Sequence, residues 1–126
     1  ETLGPDGQPL SLVGDTVSGQ ALSGIPASGG QVRGQAVVIN SPAEASRVEP
    51  GQILVTRSTD PGWTPLFSLI GGLVLEVGGQ LSHGAIVARE YGLPAVVNVP
   101  DATMLIEDGQ LIVVDGSTGT VYLEEK

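Results

Sequence analysis

One histidine, fourteen acidic side chains and no cysteine define the chemistry open to this chain of 126 residues. His83 is the only side chain of a type that ordinarily titrates near neutrality, so nucleophilic or acid–base work at physiological pH falls first to it. The absence of cysteine removes disulfides, thiol chemistry and thiolate metal sites. A single histidine also removes multi-histidine metal centres, and carboxylates such as Asp60 offer no ligand spacing around it, so no metal site is expected.

The setting of His83 is more informative than its type. Gly72-Leu-Val-Leu-Glu-Val77 reads as a buried strand, Gly78-Gly79 as a bend, and the residues after His83 as a helix capped by Ser82 and stopped by Gly92. The imidazole then lies at a strand-to-helix turn on the C-terminal edge of a sheet, where α/β folds place ligands. Backbone N–H groups from Ser82 to Ala85 lack intrahelical acceptors there, and the helix dipole adds about half a positive charge. An anion is favoured at that point and an imidazolium disfavoured, which leaves the ring neutral with a lone pair to attack. This is the arrangement expected of a histidine that becomes phosphorylated, because phosphoryl transfer asks the protein mainly for positioning and charge stabilisation. Gly78, Gly79 and Gly84 let backbone and donor approach, and Ser82 serves as helix cap with its hydroxyl near the transferred group. Thr59 and Asp60 follow a strand expected beside the Val77 strand, so their loop flanks His83, with capping of a short helix as their plainer role. Arg89 is expected as a solvated helix charge beside Glu90, with a phosphate or partner-domain contact as the alternative. Trp63 is expected in packing or an interdomain contact, and Glu124-Glu125 as a solvated end.

Several elements must position these residues. Residues 1–20 show no persistent period and read as a linker or weakly ordered arm with a short strand near Leu10–Val13, which leaves 21–126 as the folded domain. Leu22 to Ile39 fits two short strands with glycine bends. Ser41 and Pro42 open a brief helix that stops by Pro50-Gly51. Gln52–Thr56 is a buried strand, a loop from Ser58 leads into a short helix around Leu66–Ile70, and Pro94–Val97 is a further strand. Asp101–Ile106 is a second brief helix, followed by a tight turn at Asp108-Gly109 and a closing hairpin across Asp115–Gly119. Terminal strands around βαβ-like units predict an α/β fold, a mixed sheet covered by short helices.

Charge narrows the partners. A net charge of −9 with four scattered arginines disfavours nucleic acid and anionic membrane. No apolar run approaches the ~20 residues of a membrane span, and no secretion signal opens the chain. Beginning at Glu1 rather than Met, the chain reads as a piece of something longer.

Gly78-Gly-Gln-Leu-Ser-His-Gly-Ala-Ile-Val-Ala-Arg-Glu-Tyr-Gly-Leu-Pro-Ala-Val-Val97 closely resembles the phosphohistidine motif of the PEP-utilising enzyme mobile domain. The resemblance extends from about residue 22 to 123, through Gly24-Ile-Pro-Ala-Ser28, Ile53–Pro65, Asp108-Gly109 and Asp115-Gly116. This is the swivelling domain of phosphoenolpyruvate synthase, pyruvate phosphate dikinase and relatives, and Asp60–Phe67 with Ser82-His-Gly84 look most like rifampin phosphotransferase. The resemblance implies a β/β/α domain whose His83 takes a phosphoryl group from ATP on an ATP-grasp domain. The group then passes to a small-molecule acceptor on another domain, either pyruvate or an antibiotic hydroxyl. It also implies ATP and Mg2+ for the parent enzyme, a cytoplasmic setting, and no cofactor bound by this domain alone. Leu81 stands where dikinases carry a regulatory threonine, and Gly84 where the synthases commonly carry Ala. The alternative is a docking or regulatory module that keeps the fold and transfers nothing.

Overall fold

A computed structural model describes residues 17–124. Among them the chain forms eight strands: β1 Val17–Ser23, β2 Ile25–Ser28, β3 Gln31–Val38, β4 Ile53–Thr56, β5 Gly72–Leu75, β6 Ala95–Val97, β7 Leu111–Asp115 and β8 Thr120–Glu124. Three α-helices accompany them, α1 Thr64–Phe67, α2 His83–Tyr91 and α3 Ala102–Leu105, with 3-10 turns at Pro42–Arg47 and Pro61–Trp63. The strand order is β1-β8-β7-β3-β4-β5-β6-β2.

Strand β3 divides this order into two layers. Its first half, Gln31–Gln35, pairs antiparallel with β7, and its second half, Ala36–Val38, pairs parallel with β4. On one side lie the antiparallel strands β3, β7, β8 and β1; on the other lie parallel β3, β4, β5 and β6, edged by antiparallel β2. Strands β4, β5 and β6 are buried along their whole length, as parallel strands covered on both faces must be. Their alternation divides the core in two. Leu54, Leu73, Leu75 and Val97 pack with Phe67, Ala85 and Ala88 under the helices. Ile53, Val55, Val74 and Val96 pack with Ile112, Val114, Val121 and Leu123 between the two sheet layers. The result is the β/β/α order of layers.

Several elements differ from the sequence reading. Residues 22–39 lie in three strands rather than two, because both Gly24 and the Gly29-Gly30 pair interrupt the run. The helix expected over 66–70 begins earlier: Asp60 Oδ1 accepts from Gly62 N at 2.8 Å and starts a 3-10 turn that leads into α1. The helix after Ser41 is 3-10, with Ser41 Oγ accepting from Ala43 N. Strand β5 ends at Leu75, although Glu76 N and Val77 N still bond to the carbonyls of Thr56 and Arg57. The short strand expected near Leu10–Val13 and most of the 1–20 arm lie outside the described residues, whereas Gln20 pairs with Leu123 in β1.

Glu124 is not a solvated end. It is buried, and its carboxylate takes a two-pronged contact from Arg33, Nε to Oε2 at 2.8 Å and Nη2 to Oε1 at 2.9 Å. The Arg33 hydrogen bonds hold the Glu124 carboxyl below its ordinary value; desolvation opposes them and Coulombic attraction adds to them. A carboxyl lowered on folding stabilises above its unfolded pKa and loses that contribution as the pH falls through its folded value. Glu124→Gln should therefore lower the melting temperature at about pH 7, and the gap to wild type should close toward about pH 3. Thermal unfolding across that range checks it, and a gap independent of pH would contradict it.

Candidate functional site

Parallel pairing of β4 with β5 sets the next two loops side by side at the sheet's C-terminal edge. The loop after β5 turns at Gly78, whose φ of +120° lies in the region that only glycine enters without strain. A Cβ there would also come within 3.0 Å of Ser82 Oγ. The Gly79 carbonyl closes the turn, accepting from Ser82 N at 3.1 Å and from Ser82 Oγ at 2.7 Å. Ser82 thus occupies the N-cap position of α2 with extended backbone, but its hydroxyl bonds the turn rather than the helix N–H groups expected from the sequence. Gly79 faces open space, so its part is played by its carbonyl and not by its lack of a side chain.

Helix α2 lies on the sheet through Gly84, Ala85 and Ala88. A Cβ on Gly84 would fall 2.5 Å from Leu75 Cδ1 and 2.9 Å from Thr59 Oγ1, so glycine lets the helix start settle against β5 and the neighbouring loop. Ile86 N to Ser82 O is the first bond of the helix, which leaves the N–H groups of His83, Gly84 and Ala85 without helical acceptors. The helix ends at Gly92 in the left-handed conformation, with Leu93 N returning to Ala88 O.

His83, the first residue of α2, is half-buried and held from two sides. Thr59 Oγ1 lies 3.0 Å from His83 Nδ1. The ring meets Phe67 of α1 edge to face, with centroids 6.1 Å apart and planes at 87°. Nε2 has no hydrogen-bond partner among the described residues. When Nδ1 carries the proton, Thr59 accepts it and Nε2 keeps a free lone pair.

The remaining candidates divide. Thr59 reaches His83 as the strand adjacency predicts, whereas Asp60 is exposed and turned to Gly62 N as a cap. Arg89 is exposed, as expected of a helix charge beside Glu90, but its guanidinium is engaged by backbone: Nη1 donates to Ala27 O at 2.7 Å and Nη2 to Gln80 O. Trp63 is buried in the core under the helices. Phe67 and Gln80 escaped the sequence reading. Phe67 is the chain's only phenylalanine, and the helix that follows the Thr59 loop must cover the same sheet edge, which is the signal that points to it. Among the described residues no group of histidine and carboxylates converges as a metal site, and no helix is long and apolar enough to cross a membrane.

A model of the PEP-utilising enzyme mobile domain matches residues 48–119. The chain belongs to that family. This mobile domain is 56% identical over 110 residues to a rifampicin phosphotransferase of Bacillus cereus, an alignment covering 87% of the chain and 12% of the relative. It is 49% identical over 104 residues to the prodigiosin synthesizing transferase PigC of Serratia marcescens, covering 82% of the chain and 12% of the relative. With a phosphoenolpyruvate synthase of Aeropyrum pernix it shares 47% over 102 residues, again 12% of the relative and 80% of the chain. The chain therefore spans about 12% of the length of these curated relatives. Among solved structures it is similar to Enzyme I (nEIt), with a TM-score of 0.57 at 32% identity over 66% of this chain and 34% of that one. An aconitase X of Thermococcus kodakaraensis shares the fold alone, with a TM-score of 0.66 at 20% identity, covering 85% of this chain and all of that one.

Thr59→Val removes the hydroxyl at nearly constant shape. We expect the His83 ring to lose its fixed orientation, read as loss of its NOEs and ring-current shifts from Phe67. The cost in stability should be no more than about 1.5 kcal/mol, the range of a single hydrogen bond. A ring that keeps its shifts would show that Phe67 and the helix suffice to hold it.

Proposed function

We propose that the mobile domain is the phosphohistidine carrier of a multidomain ATP-dependent phosphotransferase, with Nε2 of His83 as the nucleophile. The observation that carries this reading is the imidazole pinned at Nδ1 by Thr59 while Nε2 stands open at the start of a helix. In the proposed step the Nε2 lone pair forms the N–P bond at the β-phosphorus of ATP. The bond to the bridging oxygen breaks, and AMP leaves with the electron pair. The γ-phosphoryl group departs later as phosphate, by hydrolysis. Nδ1 keeps its proton throughout, and its hydrogen bond to Thr59 Oγ1 stabilises the positive charge gained by the ring. Backbone N–H groups at Gly84 and Ala85 face the charge that develops on the phosphoryl oxygens. Gly78 and Ser82 shape the turn that holds this end of the helix in place.

The group then passes to an acceptor on another domain of the parent protein. The rifampicin phosphotransferase relatives favour an antibiotic hydroxyl over pyruvate, the acceptor suggested by the phosphoenolpyruvate synthase relative. An ATP-grasp domain supplies the nucleotide, and residues ahead of β1 serve as the connecting arm. Leu81, 85% exposed and two residues before His83, has no packing role within the domain and suits contact with such a partner. Mg2+ accompanies the nucleotide that the ATP-grasp domain binds. Dependence on ATP supports a cytoplasmic setting for the parent protein.

Incubation of the parent protein with ATP labelled at the β-phosphorus tests this reading. We expect acid-labile, alkali-stable label on the wild type and background label on His83→Ala. Absence of label on a wild type that binds ATP would overturn the carrier role in favour of a docking module.

A further inference from the structure

Arg89 lies about a turn and a half along α2 from His83, yet its guanidinium reaches back to the turn that precedes the helix. Nη1 donates to Ala27 O at 2.7 Å and Nη2 to Gln80 O. In the same place Gln80 Nε2 donates to Pro26 O at 3.0 Å. The register of β2 against β6 shifts between Pro26 and Ser28, which takes the Ala27 carbonyl out of the regular ladder and leaves it for a side chain. A planar guanidinium with separate Nη donors can address two carbonyls that belong to different segments.

The turn has little else to hold it. Among the described residues, the hydrogen bonds of Gly78 to Leu81 run either to Ser82 within the turn or through Gln80 to Arg89 and β2. Gly78 and Gly79 give the segment the greatest backbone freedom available, Gly79 faces open space, and the Leu81 side chain is exposed. Ser82, the last residue of this turn, sets the start of α2 and with it the placement of His83 and the free N–H groups.

We propose that Arg89 and Gln80 form a clip that fastens the 78–82 turn to edge strand β2, which makes Arg89 a positioning residue for phosphoryl transfer at His83. The proposal rests on the carrier reading above. The Arg89 charge is engaged by two carbonyl oxygens and acts on the reaction through the turn, without touching the phosphoryl group. A lysine keeps the charge but cannot span both carbonyls in the same way.

The parent protein carrying Arg89→Lys or Gln80→Met, the latter at an exposed position, provides the test. Single-turnover labelling from ATP and hydrogen exchange of the 78–82 segment are read together. The clip predicts that Arg89→Lys slows labelling roughly tenfold, the scale expected when reacting groups are slightly misplaced. ATP half-saturation should stay within about twofold. Exchange should rise in the 78–82 segment and not across the domain. Gln80→Met should show a milder form of the same pattern, and the double variant should be about as slow as Arg89→Lys alone, because both residues act in one network. Labelling at the wild-type rate in Arg89→Lys would overturn the proposal. So would a slowed rate accompanied by weakened ATP half-saturation, which would make Arg89 a ligand of the nucleotide or phosphoryl group. Faster exchange throughout the domain would reduce Arg89 to a general stabilising contact. A wild type that takes no label at His83 would overturn the carrier reading and the positioning role with it, while the exchange comparison would still show whether the clip holds the turn.

Discussion

The site depends on the parallel pairing of β4 with β5. Parallel neighbours send their C-terminal ends to the same edge of the sheet, so the chain leaves Thr56 and Leu75 on one side and must build two loops in contact. One loop carries Thr59 and the other ends in His83, and the 3.0 Å contact between them is the direct product of that pairing. Register matters as much as direction. Thr56 lies opposite Leu75, and a slip of one residue would turn every side chain of the strand to the other face and separate the partners.

The layers around this pair convert adjacency into rigidity. The antiparallel sheet covers the far face of the parallel strands, which allows β4, β5 and β6 to be apolar on both sides and leaves their near face to the helices. Small residues on α2, Gly84, Ala85 and Ala88, bring that helix close to β5, while Phe67 of α1 walls the imidazole. The same closeness explains why Gly84 and Thr59 form one unit: the space a Cβ would need at Gly84 is occupied in part by the Thr59 hydroxyl. A histidine held in this way has one nitrogen committed and one open, the division of labour that a phosphoryl carrier requires.

The sequence made the centre of this arrangement legible, and its periphery less so. Short apolar runs bounded by turn residues marked β4 and β6, the glycine pair and Gly92 bracketed the turn and helix around His83, and the order of the two middle strands placed Thr59 beside it. Side-chain partners that depend on distant backbone were hidden. Ser82 looks like a cap by type, but the nearby Gly79 carbonyl takes its proton. Arg89 is exposed as its place beside Glu90 suggests, but nothing local reveals that a register shift in β2, some sixty residues earlier, frees the Ala27 carbonyl for it. Glu124 looks like part of an acidic tail, because its partner Arg33 is reached only after β3, β7 and β8 have paired. The 3-10 turns at Pro42, where the sequence reads as a brief helix, and at Pro61, where it reads as a loop, have a local cause, since proline and an Asx- or Ser-type cap favour tight turns that short segments never extend.

In the proposed resting state Thr59 accepts a hydrogen bond from Nδ1 of the His83 ring and Nε2 stays bare. Long-range 1H–15N correlation of the imidazole, above the pH at which the ring is charged, reads this directly, and the single histidine of these 126 residues makes its signals unambiguous. We expect a proton on Nδ1 and an unprotonated Nε2. A neutral ring protonated at Nε2, with Nδ1 accepting from the Thr59 hydroxyl, would contradict this.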